Sequence, residues 1–353
     1  MSSDVFFLGA GFSKAINNKY PTLKDLSKEI RDNYGAEKVS VTMHLHNEVP
    51  DCYKKDIELL LTFLYSNLPY KTDVQISTNE ALYKDITNKI AKYFNKKSQE
   101  TNLQECLNKT SSLIEYIIKS RCTCVTLNYD TLLEQLLNAY TLQGNKTIDF
   151  DSLYNAPLSL LTASGRIKIH YLENPDSMNR NELPDIIKLH GSLNWGVVSN
   201  NSDTVYYVAE DDEEYKKSHL QTYIIPPVLD KTNSYSNHVI KAIWKRAFEK
   251  LSNADNIYIY GFSFPPTDLS VRFLLQSALS NNHKNPTIFV INTSDALKKE
   301  SEYYLEDRFK EIFEGYNLNF DYCCDNSLEK FVQEVIEPKL EVANANWDFD
   351  DER

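Results

Sequence analysis

Strand-length runs rich in aromatic and β-branched residues recur along this chain. Each ends on a glycine or a polar residue, and several pass into helical spacing. Residues 4–8 (DVFFL) stop at Gly9-Ala10-Gly11, and 13–16 can open a helix. Residues 122–128 (CTCVTLN) end at Asn128-Tyr129-Asp130, ahead of an amphipathic stretch at 130–140. Residues 185–190 (DIIKLH) end at Gly191. Residues 256–260 (NIYIY) end at Gly261-Phe262-Ser263, before a helical stretch at 268–279, and 286–292 (PTIFVIN) end on Asn292. Strands alternating with helices predict an α/β protein with a Rossmann-like parallel sheet and helices on both faces. In such sheets ligands bind at the carboxyl ends of the strands, where all five of these turns would lie.

The rest of the chain adds to this frame. Leu23, Leu26 and Ile30 share one helical face, and the spacing stays helical from 51 to 120, so residues 31–119 read as a mainly helical insertion able to roof a cleft. A short strand is expected at 223–225 and a helix at 237–251. Helices are expected at 300–314 and 328–340, around a possible edge strand at 318–322, and an acidic frayed end at 348–353. The acidic run 210–214 reads as a solvated loop. This divides the chain into a domain at 1–295 and a C-terminal helical extension with an acidic tail at 296–353.

Composition narrows the function classes. Across 353 residues, 38 Lys and Arg face 50 Asp and Glu, a formal net charge of −12. That balance argues against direct nucleic-acid binding, which needs clustered cations, but allows a small basic pocket for one dinucleotide. The N-terminal segment lacks a basic region ahead of its short apolar run, and no apolar stretch has membrane-spanning length; no membrane association and a cytoplasmic location are the expectation. The six cysteines (Cys52, Cys106, Cys122, Cys124, Cys323, Cys324) form no CxxC pair, so no metal site is expected and the thiols are read as free and buried. There is no Walker motif to support ATP or GTP hydrolysis.

The residues at the strand ends admit plain roles as well as chemical ones. The glycine turn departs from GxGxxG, having Lys14 at the third position, and a lone GxG before a helix is often only a tight turn. His190 at a strand end can be structural, although a neutral imidazole there could serve as a base near pH 7 and the following glycine permits close backbone approach. Asn128 can cap the helix near Asp130, or reach a ligand's hydroxyls.

Taken in order, GAGFS, TLNYD, KLHG, YGFS and VIN resemble the sirtuin family. The match is closer to the sirtuin-like NADases of bacterial antiphage defence, whose forms FLGAGxS, TxNYD, KLHGSLxW and GYSF correspond to residues 7–13, 126–130, 188–195 and 261–264. DIELLL at 56–61 is similar to that group's helical insert, and the resemblance spans about residues 4–295. It implies NAD+ as substrate, with Gly9, Ala10, Gly11, Phe12 and Ser13 at the pyrophosphate and nearby ribose. Asn128 and Asp130 would lie by the nicotinamide ribose, with Asn128 and His190 catalytic. Gly261 and Ser263 would line the phosphate side, and Asn292 the adenosine ribose. The paired CxxC zinc module of protein-deacylating sirtuins is missing, and Leu127 stands where that family has Gln. The resemblance therefore implies NAD+ hydrolysis to nicotinamide and ADP-ribose, in defence by NAD+ depletion. It further implies control by homo-oligomerisation or a separately encoded partner, an ATPase or an Argonaute-type protein. Two rivals are a non-catalytic module binding NAD+ or ADP-ribose as a sensor, and a protein deacylase.

Overall fold

The computed structural model describes residues 3–350 apart from 35–48, 149, 162–166, 169–182, 199–203, 209–219, 230, 232–233, 266–267 and 302–303. The acidic run at 210–214, expected as a loop, lies outside the described residues, as do the last three residues of the expected frayed end.

Eleven strands are present among the described residues. They are β1 (Asp4–Leu8), β2 (Thr123–Thr126), β3 (Ser159–Leu161), β4 (Ile167–Lys168), β5 (Asp185–Lys188), β6 (Gly191–Val197), β7 (Tyr206–Val208), β8 (Gln221–Ile224), β9 (Asn256–Tyr260), β10 (Thr287–Asn292) and β11 (Leu318–Cys323). Six build the main sheet in the order β11-β10-β9-β1-β2-β5, every pairing parallel. All five residues of β1 are buried, as a central strand covered on both faces requires. The chain runs outward from β1 through β2 to β5, then crosses to β9 and continues outward to β11. The strand order therefore reverses between β1 and β9, which puts the topological switch point at the Gly9 and Gly261 turns.

The insertion is helical where described: Ile57–Tyr65, Asp73–Gln99 and Leu103–Lys119 follow Leu23–Tyr34. Its boundaries are set by side-chain caps. Asp56 accepts from the Glu58 and Leu59 N–H groups, Thr72 and Gln75 form a reciprocal capping box, and Asn102 accepts from Glu105 N–H.

Two features depart from the sequence reading. Short strands from both sides of His190 in the sequence build a second sheet, β4-β3-β7-β6-β8; β8 overlaps the strand expected at 223–225, and the other four, which lack clear apolar alternation, were not expected. Beyond β11 the chain is helical from Ser327, with a π-helical turn at Val332–Ile336, and continues as helix Glu337–Asp350. The expected fraying at 348 is thus replaced by helix to Asp350.

That last helix is tied beneath the sheet, at the amino ends of the strands. Asp4 is fully buried and accepts from Lys339 Nζ (2.7 Å), the Tyr116 and Tyr258 hydroxyls (2.7 and 3.0 Å) and Asn256 Nδ2 (2.9 Å). All six cysteines are free. Cys106, Cys122, Cys124 and Cys323 are buried as expected, but Cys52 is exposed and Cys324 partly so.

Candidate active site

The glycines at the switch point serve backbone contact first. Gly261 has φ +63°, and a Cβ there would sit 2.3 Å from Phe12 N and 2.4 Å from Gly11 C. Conversely, a Cβ on Gly9 would meet Gly261 O at 2.6 Å, and one on Gly11 would meet Gly261 Cα at 2.6 Å. The two turns are seated on each other, and their hydrogen bonds confirm it: Gly9 N–H donates to Tyr260 O and Gly11 N–H to Gly261 O, each at 2.9 Å. Gly9 is the N-cap of helix Ala10–Ile16, which starts three residues earlier than expected. Phe12 N–H donates to Gly9 O, so two of the first three helical N–H groups are already committed inside the protein. The Phe12 side chain is buried edge-on against Tyr260.

From this turn a polar chain runs to β2. Asn128 Nδ2 donates to Gly9 O (3.0 Å) and to Ser13 Oγ (3.1 Å), and its N–H donates to Thr126 Oγ1 (3.0 Å). Ser13 Oγ in turn donates to the Asp130 carboxylate at 3.0–3.1 Å. Asn128 is therefore no helix cap. The N-cap of helix Leu132–Gln143 is Thr131, and the Asp130 carboxylate one residue before it accepts from Leu132 N–H (3.2 Å). With both amide hydrogens engaged, Asn128 Oδ1 is left without a partner among the described residues. Asp130 is buried, and its carboxylate is engaged by Ser13 and Leu132. Burial raises its pKa, against the pull of the nearby Lys188 ammonium.

His190 leaves the neighbouring strand at the same edge. Thr126 lies opposite Lys188, and Leu189 N–H donates to Thr126 O, so Asn128 and His190 each follow two residues beyond a paired position. His190 is 5% exposed, and its Nε2 is buried without a hydrogen-bond partner among the described residues. Burial first, then the Lys231 ammonium, lowers its pKa to about 3, against the opposing pull of Asp268. The imidazole is thus neutral at pH 7, as expected, but far less basic than a free histidine. Gly191 has φ +77°, and its absent Cβ makes room for the Tyr223 carbonyl, 2.4 Å from the Cβ position. Ile225 N–H to His190 O (2.8 Å) and Tyr129 hydroxyl to Ile225 O (2.7 Å) lock the second sheet against this corner.

Several residues that matter here were not singled out from sequence. Lys188, 1% exposed, donates to Asp130 O (2.5 Å) and Glu134 (3.0 Å), while the Tyr154 hydroxyl donates to Glu134 (2.9 Å). A lysine inside the apolar run DIIKLH is the signal that could have revealed this. Lys231 and Asp268, an ion pair at 2.5 Å, flank His190 from segments distant in sequence. On the far side of the switch point, Arg308 donates to Ser263 O (2.8 Å) and Arg272 to Phe264 O (2.9 Å). Asn292 is more peripheral, its Oδ1 accepting from Thr293 N–H (2.9 Å). Among the described residues no group of three or more His, Cys, Asp or Glu is placed to hold a metal ion, and no helix is long and apolar enough to cross a membrane.

Comparison with known proteins adds the family. Among solved structures the chain is similar to a Sir2 enzyme studied for mechanism and regulation (TM-score 0.41, 11% identity, covering 98% of this chain and 93% of that one). It is also similar to a Sir2 mutant with a p53 peptide and NAD (TM-score 0.35, 13% identity, 96% and 93%). A third is Sir2 with an inhibitor, 2'-O-acetyl-ADP-ribose and deacetylated p53 peptide (TM-score 0.39, 12% identity, 94% and 93%). No curated protein matches the chain. The model of the SIR2-like domain matches residues 123–313, more than half of the chain and the span that carries Asn128, His190 and Gly261, and the chain therefore belongs to the SIR2-like domain family.

Proposed function

We propose that this chain hydrolyses NAD+ at the bond between nicotinamide and ribose. The observation that carries the reading is the pair of uncommitted acceptors, Asn128 Oδ1 and His190 Nε2, on adjacent strand ends beside the glycine turn. A buried nitrogen without a partner is costly in a folded protein and is explained by a ligand donor. In the reaction the C1'–N bond breaks and its electron pair neutralises the pyridinium, which leaves as nicotinamide. Water bonds to C1', and its proton passes to His190 or to solvent. Positive charge builds on the ribose, as in other glycoside cleavages. Asn128, oriented by Gly9 O and Ser13, would accept from the water or a ribose hydroxyl, and His190 from the other. Asp130 would act through Ser13 rather than on the ligand.

The resemblance to antiphage NADases extends this to defence by NAD+ depletion, controlled by self-assembly or by a separately encoded partner, an ATPase or Argonaute-type protein. Purified full-length chain incubated with NAD+ should release nicotinamide, and Asn128→Ala and His190→Ala should each lower the rate at least a hundredfold. Undiminished release by both variants would remove the assignment. The low basicity of His190 favours one second reading, a module that binds NAD+ or ADP-ribose without turnover. Tight binding with no nicotinamide release in any assembly state, with candidate partners present, would select it.

A further inference from the structure

The cation expected for a dinucleotide phosphate is not supplied by the glycine turn, whose Gly11 and Phe12 N–H groups are spent within the protein. It is present on the other side of the switch point. Arg272, on helix Leu269–Ser280, and Arg308, on helix Glu306–Ile312, converge on the loop that follows β9 and donate to its successive carbonyls, Ser263 O and Phe264 O. Packing fixes the position of Phe264 in this loop. Phe264 is fully buried with φ +48° and packs on Phe262, Phe309 and Phe313 at 4.5–5.5 Å between ring centres.

Two carbonyls do not balance two guanidinium charges. Neither arginine forms an ion pair among the described residues, and Arg272 Nε is buried without a hydrogen-bond partner. The cations are close enough that burial and then the charge of Arg272 lower the pKa of Arg308, with only Glu311 opposing. A like-charge pair held at the ligand edge of the sheet, with donors to spare, has the composition of an oxyanion site, since planar guanidinium forks match phosphate oxygens in pairs.

We propose that Arg272 and Arg308 together form a phosphate-binding site at the carboxyl end of β9. Resting on the dinucleotide reading above, the phosphate it holds belongs to the substrate. Residues 261–264 then carry the phosphate side of the cleft through arginines that lean on their carbonyls, rather than through the Ser263 hydroxyl alone.

Calorimetric titration of the full chain with sodium pyrophosphate, ADP-ribose and adenosine tests this. Arg308→Gln should weaken pyrophosphate and ADP-ribose about tenfold or more, the loss expected for charge-assisted hydrogen bonds, and leave adenosine unchanged. Arg308→Lys, which keeps the charge but loses the fork, should fall between. It also serves as the test variant if Arg308→Gln fails to fold, as judged by its urea midpoint. Unchanged pyrophosphate affinity in a folded variant, or no pyrophosphate binding by the parent chain, overturns the proposal. Weakened pyrophosphate binding with unchanged ADP-ribose binding supports an anion site but overturns its assignment to the substrate, and leaves the NADase reading to its own assay.

Discussion

Replacing Gly261 by alanine tests whether the two switch-point turns form one rigid unit. Two separate penalties arise. At φ +63° an L-residue is strained by about 1–2 kcal/mol. The new methyl also enters space already held by Phe12 N, Gly11 C and Gly11 Cα, at 2.3, 2.4 and 2.5 Å. These are backbone atoms of the helix that leads directly out of β1 and packs Phe12 on Tyr260, so relief requires the helix to move, and overpacking of this kind costs about 1–3 kcal/mol. The sum is about 2–5 kcal/mol. Gly315 supplies the control: it has φ +86° but nothing within 4 Å of a Cβ, so Gly315→Ala carries only the backbone penalty. In urea unfolding, with a slope of about 3 kcal/mol per M, Gly261→Ala should lower the midpoint by about 0.7–1.7 M and Gly315→Ala by about 0.3–0.7 M. Because the displaced helix carries Ser13, which orients Asn128, nicotinamide release should fall in Gly261→Ala and not in Gly315→Ala. Equal midpoints for the two variants would refute the argument that the turns are locked by mutual contact.

Further expectations concern the buried charges. His190 is held neutral in the fold at about 3 but takes up a proton near 6.5 when unfolded. Its linkage therefore leaves stability intact above pH 6.5 and erodes it by about 1.4 kcal/mol per unit as the pH falls from there toward 3. His190→Asn should lose less stability than the parent chain between pH 7 and pH 5, and parallel urea midpoints would contradict this. Lys188→Met leaves Glu134 buried with only the Tyr154 hydroxyl as donor and should cost about 3–5 kcal/mol, most of it recovered in Lys188→Met with Glu134→Leu; a single variant as stable as the parent would show the pair to be dispensable. Lys339→Met removes the one charged donor in the set that Asp4 shares with Tyr116, Tyr258 and Asn256, and should cost about 1–3 kcal/mol. Its clearest mark should be faster amide exchange in helix Glu337–Asp350 than in β1, and uniform exchange across both would count against a local anchor.

What the sequence determined by itself was the main sheet. β1 and β9 coincide with their expected limits, and β2, β5 and β10 differ by one or two residues, because strands buried on both faces must be continuous apolar runs and their ends must turn. The polar residues at those ends, Asn128 and His190 among them, were legible for the same reason. The second sheet was legible only at β8, overlapping the strand expected at 223–225: its other short strands carry no period, and its pairings, such as Gly191 with Ile224, join residues far apart in sequence. Nor could the sequence show that Gly9, Gly11 and Gly261 are glycines for one another, or that Phe12 faces the core. The partners of the charged groups were equally hidden, Lys188 with Glu134, Lys231 with Asp268, and Arg308 beside Arg272. Periodicity reports which face of an element is buried, whereas charge pairing and backbone contact depend on which elements the topology brings side by side, and only the tertiary structure decides that.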